Sequence, residues 1–187
     1  MKGEFHMTEE LKETIICHIE NKMLMKVERS GIPDSFEIEG FPIMLSEEFL
    51  LMTVIYDFYD EGFAIVRTAD ITDAYSKESV AFYENICIKE GLREKMRESA
   101  VTSVLSMEDI LRQLKEYDGF IIIQRERETE KCDFFIGKVE SLTEKAVLFH
   151  NFDPEGNWDD DTIFYDDITQ VTFGSNYARM YHKYMER

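Results

Sequence analysis

The chain has 187 residues, 44% hydrophobic and 13% aromatic, with only three prolines; it has the material for a packed core and lacks the composition of a disordered segment. Its 39 Asp and Glu against 21 Lys and Arg leave a net charge of −18. That field repels phosphates and removes the main source of unspecific nucleic-acid affinity, so nucleic acid is excluded as an expected partner, while a basic protein or a cation suits the charge.

No apolar run nears the roughly 20 residues that a bilayer crossing needs. The opening residues have acidic helical texture instead of a basic end followed by an apolar stretch. The expectation is a cytoplasmic protein without a membrane segment. Residues 1–6, "MKGEFH", read like translated cloning sites and are left out of the fold, with Met7 as the natural start.

From the start, Leu11, Ile15, Ile16 and Ile19 fall on one face of a helix spanning Thr8 to Asn21. Then come short β-branched or aromatic stretches separated by turn-like residues: "MLMKVER", "SFEIEGFPIML", "EFLLMTVIYDF", "FAIVRT" and "ITDAYS", closed by a helix over 77–92. Charged "REKMRES" reads as a join. A second helix follows near Met107 to Tyr117, with Ser106 and Asp109 spaced as a cap. Five more strands are expected at "FIIIQRER", "DFFIGKVESL", "AVLFHNF", "TIFYDD" and "TQVTF". In the last helix Tyr177, Met180, Tyr181 and Tyr184 recur at helical spacing, a stripe expected to lie on the sheet.

The two runs match. Gly40 lies 31 residues before Ile71, and Gly137 the same 31 before Ile168; each Ile belongs to an Asp-Ile-Thr triplet. "DFYDEG" matches "NFDPEG" if loop lengths on either side compensate, and Tyr83 falls opposite Tyr181. Ordered matches of this kind favour tandem copies of one unit. A helix and five strands, with a bend-permitting Gly in the second strand and an Asp-Ile pair before the last, resemble the small barrels of the Sm-like and SH3-like folds. The fold class expected is therefore α+β, mainly β: two tandem five-stranded small barrels with flanking helices. Residues 7–92 form the first unit, 93–105 the linker and 106–187 the second. Sm-like RNA binders carry an Arg-Gly or Lys-Gly pair in a late loop; here the matching places read "RTADIT" and "FYDDIT", so the family's RNA site is not carried over.

Two groups are candidate sites. In "DPEGNWDDD", Asp153, Glu155, Asn157, Asp159 and Asp161 alternate, the oxygen-rich composition a hard cation takes, although the spacing is not that of an EF-hand and solvated turn residues are the commoner use. Tyr177, Tyr181 and Tyr184 form a candidate interaction stripe, set against ordinary core packing. Cys17, Cys87 and Cys132 lack Cys-x-x-Cys spacing, and His6, His18, His150 and His182 lack metal-ligand spacing. No nucleophile elbow or phosphate loop occurs, and no cofactor is expected.

"FPIMLSEEFLLMTVIYDFY" is more apolar than its counterpart, so that hairpin is either buried on both faces by the other copy, the option favoured here, or presented to a homo-oligomer. The leading reading is a non-enzymatic interaction module of adaptor, immunity or antitoxin type. The alternative is a small hydrolase or cation-dependent enzyme with a site between the barrels near 153–161, and a third, disfavoured, is an Sm-like RNA binder.

Overall fold

The computed structural model describes residues 7–33, 35, 37–76, 80–127 and 133–185. The chain is α+β, mainly β. Helix α1 (Glu9–Asn21) starts where the Thr8 hydroxyl accepts the Leu11 amide, and it stops at Lys22 in the left-handed region. After it come β1 (Met25–Glu28), β2 (Ile38–Gly40), β3 (Pro42–Leu45), β4 (Phe49–Tyr56), β5 (Tyr59–Arg67), a 3-10 turn at Thr68–Asp70, β6 (Asp73–Tyr75) and α2 (Val80–Lys89). A 3-10 segment, Leu92–Glu98, leads to α3 (Met107–Lys115), where the Ser106 hydroxyl accepts the Asp109 amide as expected. Then follow β7 (Ile121–Arg125), β8 (Asp133–Leu142), β9 (Ala146–Phe152), β10 (Trp158–Phe164), a 3-10 turn at Tyr165–Asp167, β11 (Gln170–Phe173) and α4 (Asn176–Met185).

The strands form two antiparallel sheets. Three make the order β2-β1-β6, and eight make β10-β9-β8-β7-β11-β5-β4-β3. Neither is a closed barrel. Many strand pairings of the two halves nevertheless correspond, except near the β4–β5 turn, where a register shift between Thr53 and Ile55 has no counterpart in β9–β10. Pro42↔Met52, Met44↔Leu51 and Leu45↔Leu50 answer to Val139↔Phe149, Ser141↔Leu148 and Leu142↔Val147, with a bulge at the same place in each. Leu50↔Val66 and Met52↔Ala64 answer to Val147↔Ile163 and Phe149↔Asp161, and Val27↔Ala74 to Ile123↔Val171. Local polar contacts repeat too: Thr72 Oγ1 donates to Glu28 O, as Thr169 Oγ1 does to Gln124 O. These equivalences run from Gly40 and Gly137 through both 3-10 turns without any compensating insertion, so matching "DFYDEG" to "NFDPEG" is a chance likeness displaced from the true register.

Gly40 and Gly137 occupy the same place for the same reason. A Cβ on Gly40 would stand 1.9 Å from Thr53 O, and one on Gly137 1.9 Å from His150 O. In the first half this close approach coincides with a break at Phe41 that divides one strand into β2 and β3, one in each sheet.

The halves join where β5 pairs with β11, Ile65 opposite Val171 and Phe63 opposite Phe173. One face of β4 and β5 (Leu50, Met52, Ala64, Val66) closes the core under α1, with Ile15, Met25 and Val27. The other face (Phe49, Leu51, Phe63, Ile65) packs into the core of the second half with α3, Val171 and Phe173. Of the apolar stretch from Phe41 to Tyr59, β3 is only partly buried and Tyr56, Phe58 and Tyr59 at the end are exposed, whereas β4 is buried on both faces, as favoured from its sequence. Each such side chain is worth about 1.5–3 kcal/mol, so four together rival the 5–15 kcal/mol net stability typical of a domain. Val101 and Val104, in the stretch expected as a linker, are 2% and 1% exposed in the same core and hold the join down.

Candidate interaction surface

Across the junction, side chains from both halves converge on a buried ion pair. The Arg29 guanidinium, at the end of β1, donates to both Glu126 oxygens, at 2.6 and 2.9 Å, and to Gln170 Oε1 at 2.7 Å. Thr169 Oγ1 donates to Glu126 Oε2 at 2.7 Å. Both charges are almost fully buried, and Arg29 Nε has no hydrogen-bond partner among the described residues. Nearby, Arg67 Nε donates to Ile168 O at 2.7 Å and Arg127 Nη2 to Asp70 Oδ1 at 2.6 Å, so guanidinium groups of each half grip the other.

This pair floors a cleft of about 580 Å³ between the halves, with an apolar wall that includes Ile38, Val54, Ile122 and Phe134. Glu37, Glu61 and Tyr177 add polar groups. None of residues 153–161 lines it, so the groove between the halves and the acidic stretch are separate places, contrary to the expectation that joined them.

The acidic stretch itself divides in two. Asp153 caps its own turn: Asn157 donates to its carboxylate through the backbone amide at 2.8 Å and through Nδ2 at 2.9 Å. These contacts, the side-chain one first, hold the Asp153 carboxyl below its ordinary range. Glu155 is exposed at the tip. Asp159 and Asp161 belong to β10, where a loop up to 161 was expected. An edge position permits this despite the poor strand propensity of Asp, because carboxylates on an edge can reach water. Asp161 accepts from Asn151 Nδ2 at 2.9 Å, and Asp159 Oδ1 accepts the Asp160 amide. Among the described residues no three His, Cys, Asp or Glu are arranged to hold a metal ion.

On α4 the tyrosines part company. Ala178, Tyr181 and Met185 pack on Phe120, Ile122, Ile136 and Phe152, whereas Tyr177, Met180 and Tyr184 are half or more exposed, at 50%, 53% and 61%. The stripe expected against the sheet is therefore split, and the small Ala178 sets the buried face. Spacing alone could not choose between the faces, because apolar residues stand on both.

The structure links the two predicted groups through residues the sequence reading passed over. Tyr177 sits edge-on to Phe134 at 5.7 Å and beside Tyr181 at 4.9 Å; Tyr181 meets Phe152 at 5.2 Å, and Phe152 meets Trp158 at 5.1 Å. Trp158 lies flat on His150 at 4.6 Å, and His150 Nδ1 is 2.6 Å from Asp160 Oδ1. A continuous aromatic ladder thus runs from the cleft to the carboxylates of β10. Phe134, Trp158 and His150 carried no periodic signal; β9–β10 pairing sets Trp158 beside Phe152 and His150, and α4, crossing the strands, joins them to Phe134.

Cys17 is exposed and Cys87 buried, while Cys132 and His6 lie outside the described residues. No helix among the described residues is long and apolar enough to cross a membrane. The fold and this surface define a mainly β, α+β protein with an acidic, aromatic flank. No family model, curated protein or solved structure matches the chain.

Proposed function

We propose that this is a cytoplasmic, non-enzymatic protein-interaction module of adaptor, immunity or antitoxin type, made of two tandem units of Sm-like or SH3-like strand order. The corresponding strand pairings of the halves support the tandem reading, and the shared edge β5–β11 accounts for the sheets staying open. Its partner is a basic protein.

The observation that carries the functional reading is the aromatic ladder ending on the Asp160 carboxylate, with Asp159 and Asp161 on the other face of the same strand. Aromatic faces attract Lys and Arg through their quadrupoles, and adjacent carboxylates add charge pairing. Exposed Tyr177 and half-exposed Trp158 supply broad contact area with few rotatable bonds, the residue types that dominate binding hot spots. A net charge of −18 steers a basic partner towards the surface.

The test is paired affinity capture from native cell extract, using the wild-type chain and a Tyr177→Ala, Trp158→Ala variant of confirmed fold. A basic protein held by the wild type at 150 mM salt and lost from the variant is expected. Equal retention on both baits, or retention of acidic or nucleic-acid species alone, would overturn the reading.

A further inference from the structure

We infer that the free edge of β10 is a docking site for an extended, basic segment of the partner, which joins the eight-stranded sheet as a further antiparallel strand. This rests on the basic-partner reading above and names its binding mode.

The first observation is an internal precedent. β10 in the second half occupies the place of β5 in the first: His150↔Asp160 and Leu148↔Thr162 answer to Thr53↔Phe63 and Leu51↔Ile65. The outer edge of β5 is filled by β11, through four register pairs from Gln170↔Val66 to Phe173↔Phe63. Among the described residues β10 ends the sheet and pairs with β9 alone, so apart from the Asp160 amide, which Asp159 Oδ1 accepts, a seven-residue strand presents outward backbone donors and acceptors with no strand beside them. An edge with this geometry is a template for strand addition.

The second observation sets the chemistry of the occupant. Where β5 offers Phe63 and Ile65, 8% and 1% exposed beneath an apolar strand, β10 offers exposed Asp160 and Thr162, with Asp159 on the opposite face. An apolar strand such as β11 would leave the Asp160 carboxylate facing apolar side chains, a costly burial. A strand with Lys or Arg at alternate positions would face Asp160 and lay its alkyl stems on half-exposed Trp158 and Phe164. A second copy of this chain does not qualify. The terminal strands β2, β3 and β6 have only three or four residues each, two β10 edges laid together would set the carboxylates of both copies against each other, and each copy brings a charge of −18.

The experiment measures fluorescence anisotropy of labelled peptides on the full chain at 150 mM salt. The probes are a peptide alternating Lys and Val, its counterpart alternating Glu and Val, and the Lys-Val peptide with alternate backbone amides N-methylated. The inference expects binding of the Lys-Val peptide, none of the Glu-Val peptide, and at least tenfold weaker binding after N-methylation. It also expects Asp160→Lys to weaken the Lys-Val peptide at least tenfold, and backbone amides of β10 to gain hydrogen-exchange protection in the complex. If the N-methylated peptide binds as well as its parent, strand addition is wrong while the basic-partner reading stands. If no basic peptide binds, both fall. If sedimentation shows the chain itself associating at micromolar concentration and protecting β10, the occupant is a second copy and the inference is overturned.

Discussion

Arg29 and Glu126, on different halves of the chain, form a bidentate, almost fully buried ion pair at the end of the shared sheet. They stand at non-equivalent positions: the residue matching Glu126 in the first half is Ser30, whose amide donates to Thr72 Oγ1 as that of Glu126 does to Thr169 Oγ1. The pair therefore belongs to the junction and not to the contacts that recur in the two halves. Burying two charges is expensive, and a good pair only returns that cost, whereas breaking it leaves one charge stranded.

The expected outcome for Arg29→Met is a loss of about 3–5 kcal/mol, and for Glu126→Leu a loss in the same range. Combining them should recover most of the loss, leaving Gln170 Oε1 without its guanidinium donor while Thr169 Oγ1 keeps Gln124 O and the amide of residue 126. Urea denaturation of the four members of the cycle measures this. Additive losses would mean that the two charges do not act as a unit.

The two bend glycines give a paired prediction. Because a Cβ at either position would meet a carbonyl oxygen at 1.9 Å, Gly40→Ala and Gly137→Ala should each destabilise by about 2–3 kcal/mol or more, near the upper range for forced overpacking. Backbone sits on the other side of each contact, so relaxation is hard. Thermal melts of the two variants check it; a neutral effect at either position would mean that the strand there is not so tightly bent.

The β4–β5 turn places Asp57 and Phe58 at φ of 46° and 65°, the left-handed region a two-residue hairpin turn requires. Phe58 is a poor residue for it. Its ring stacks 4.4 Å from Tyr83, and its amide donates to the Tyr83 hydroxyl at 3.4 Å, contacts that offset the strain. Replacing Phe58 with Ala keeps the strain and loses the ring, while Gly loses the ring and relieves the strain. Phe58→Gly should therefore be more stable than Phe58→Ala by about 1 kcal/mol, inverting the usual order within a strand-rich region. Chemical denaturation of the two variants decides it.

Acid titration probes the Asp153 turn. The folded-state pKa of Asp153 is lowered, by the Asn157 side chain first and its amide next. A lowered carboxyl contributes stability above its unfolded value, about 3.9, and that contribution is lost as pH falls through the lower folded value. Asn157→Ala should move the Asp153 titration up towards the ordinary range and shrink this acid-dependent part. Carboxyl NMR through an acid titration reads the shift directly; an unchanged Asp153 pKa in the variant would contradict the hydrogen-bonding account.

By itself the sequence determined the α+β, mainly β class and the places of most of the strands. Gly40 and Gly137, Ile71 and Ile168, and the β-branched runs between them carry information local enough to read, because alternation, bends and caps are properties of a few neighbouring residues. The same holds for the Ser106 cap, for β8 and β9, which fall where "DFFIGKVESL" and "AVLFHNF" were read, and for the double burial of β4, whose side chains are apolar on both faces.

Only the tertiary structure decided how the two halves share a sheet. The β5–β11 pairing depends on which strand edges remain free once each half has folded, and no local pattern records that. It also decided which face of α4 is buried, since Ala178 against Phe120 and Phe152 outweighs the larger tyrosines beside it. The Arg29–Glu126 pair and the aromatic ladder from Tyr177 to His150 likewise join residues far apart in the chain. Their proximity comes from the crossing of strands and helices, a long-range property that spacing along the sequence does not encode.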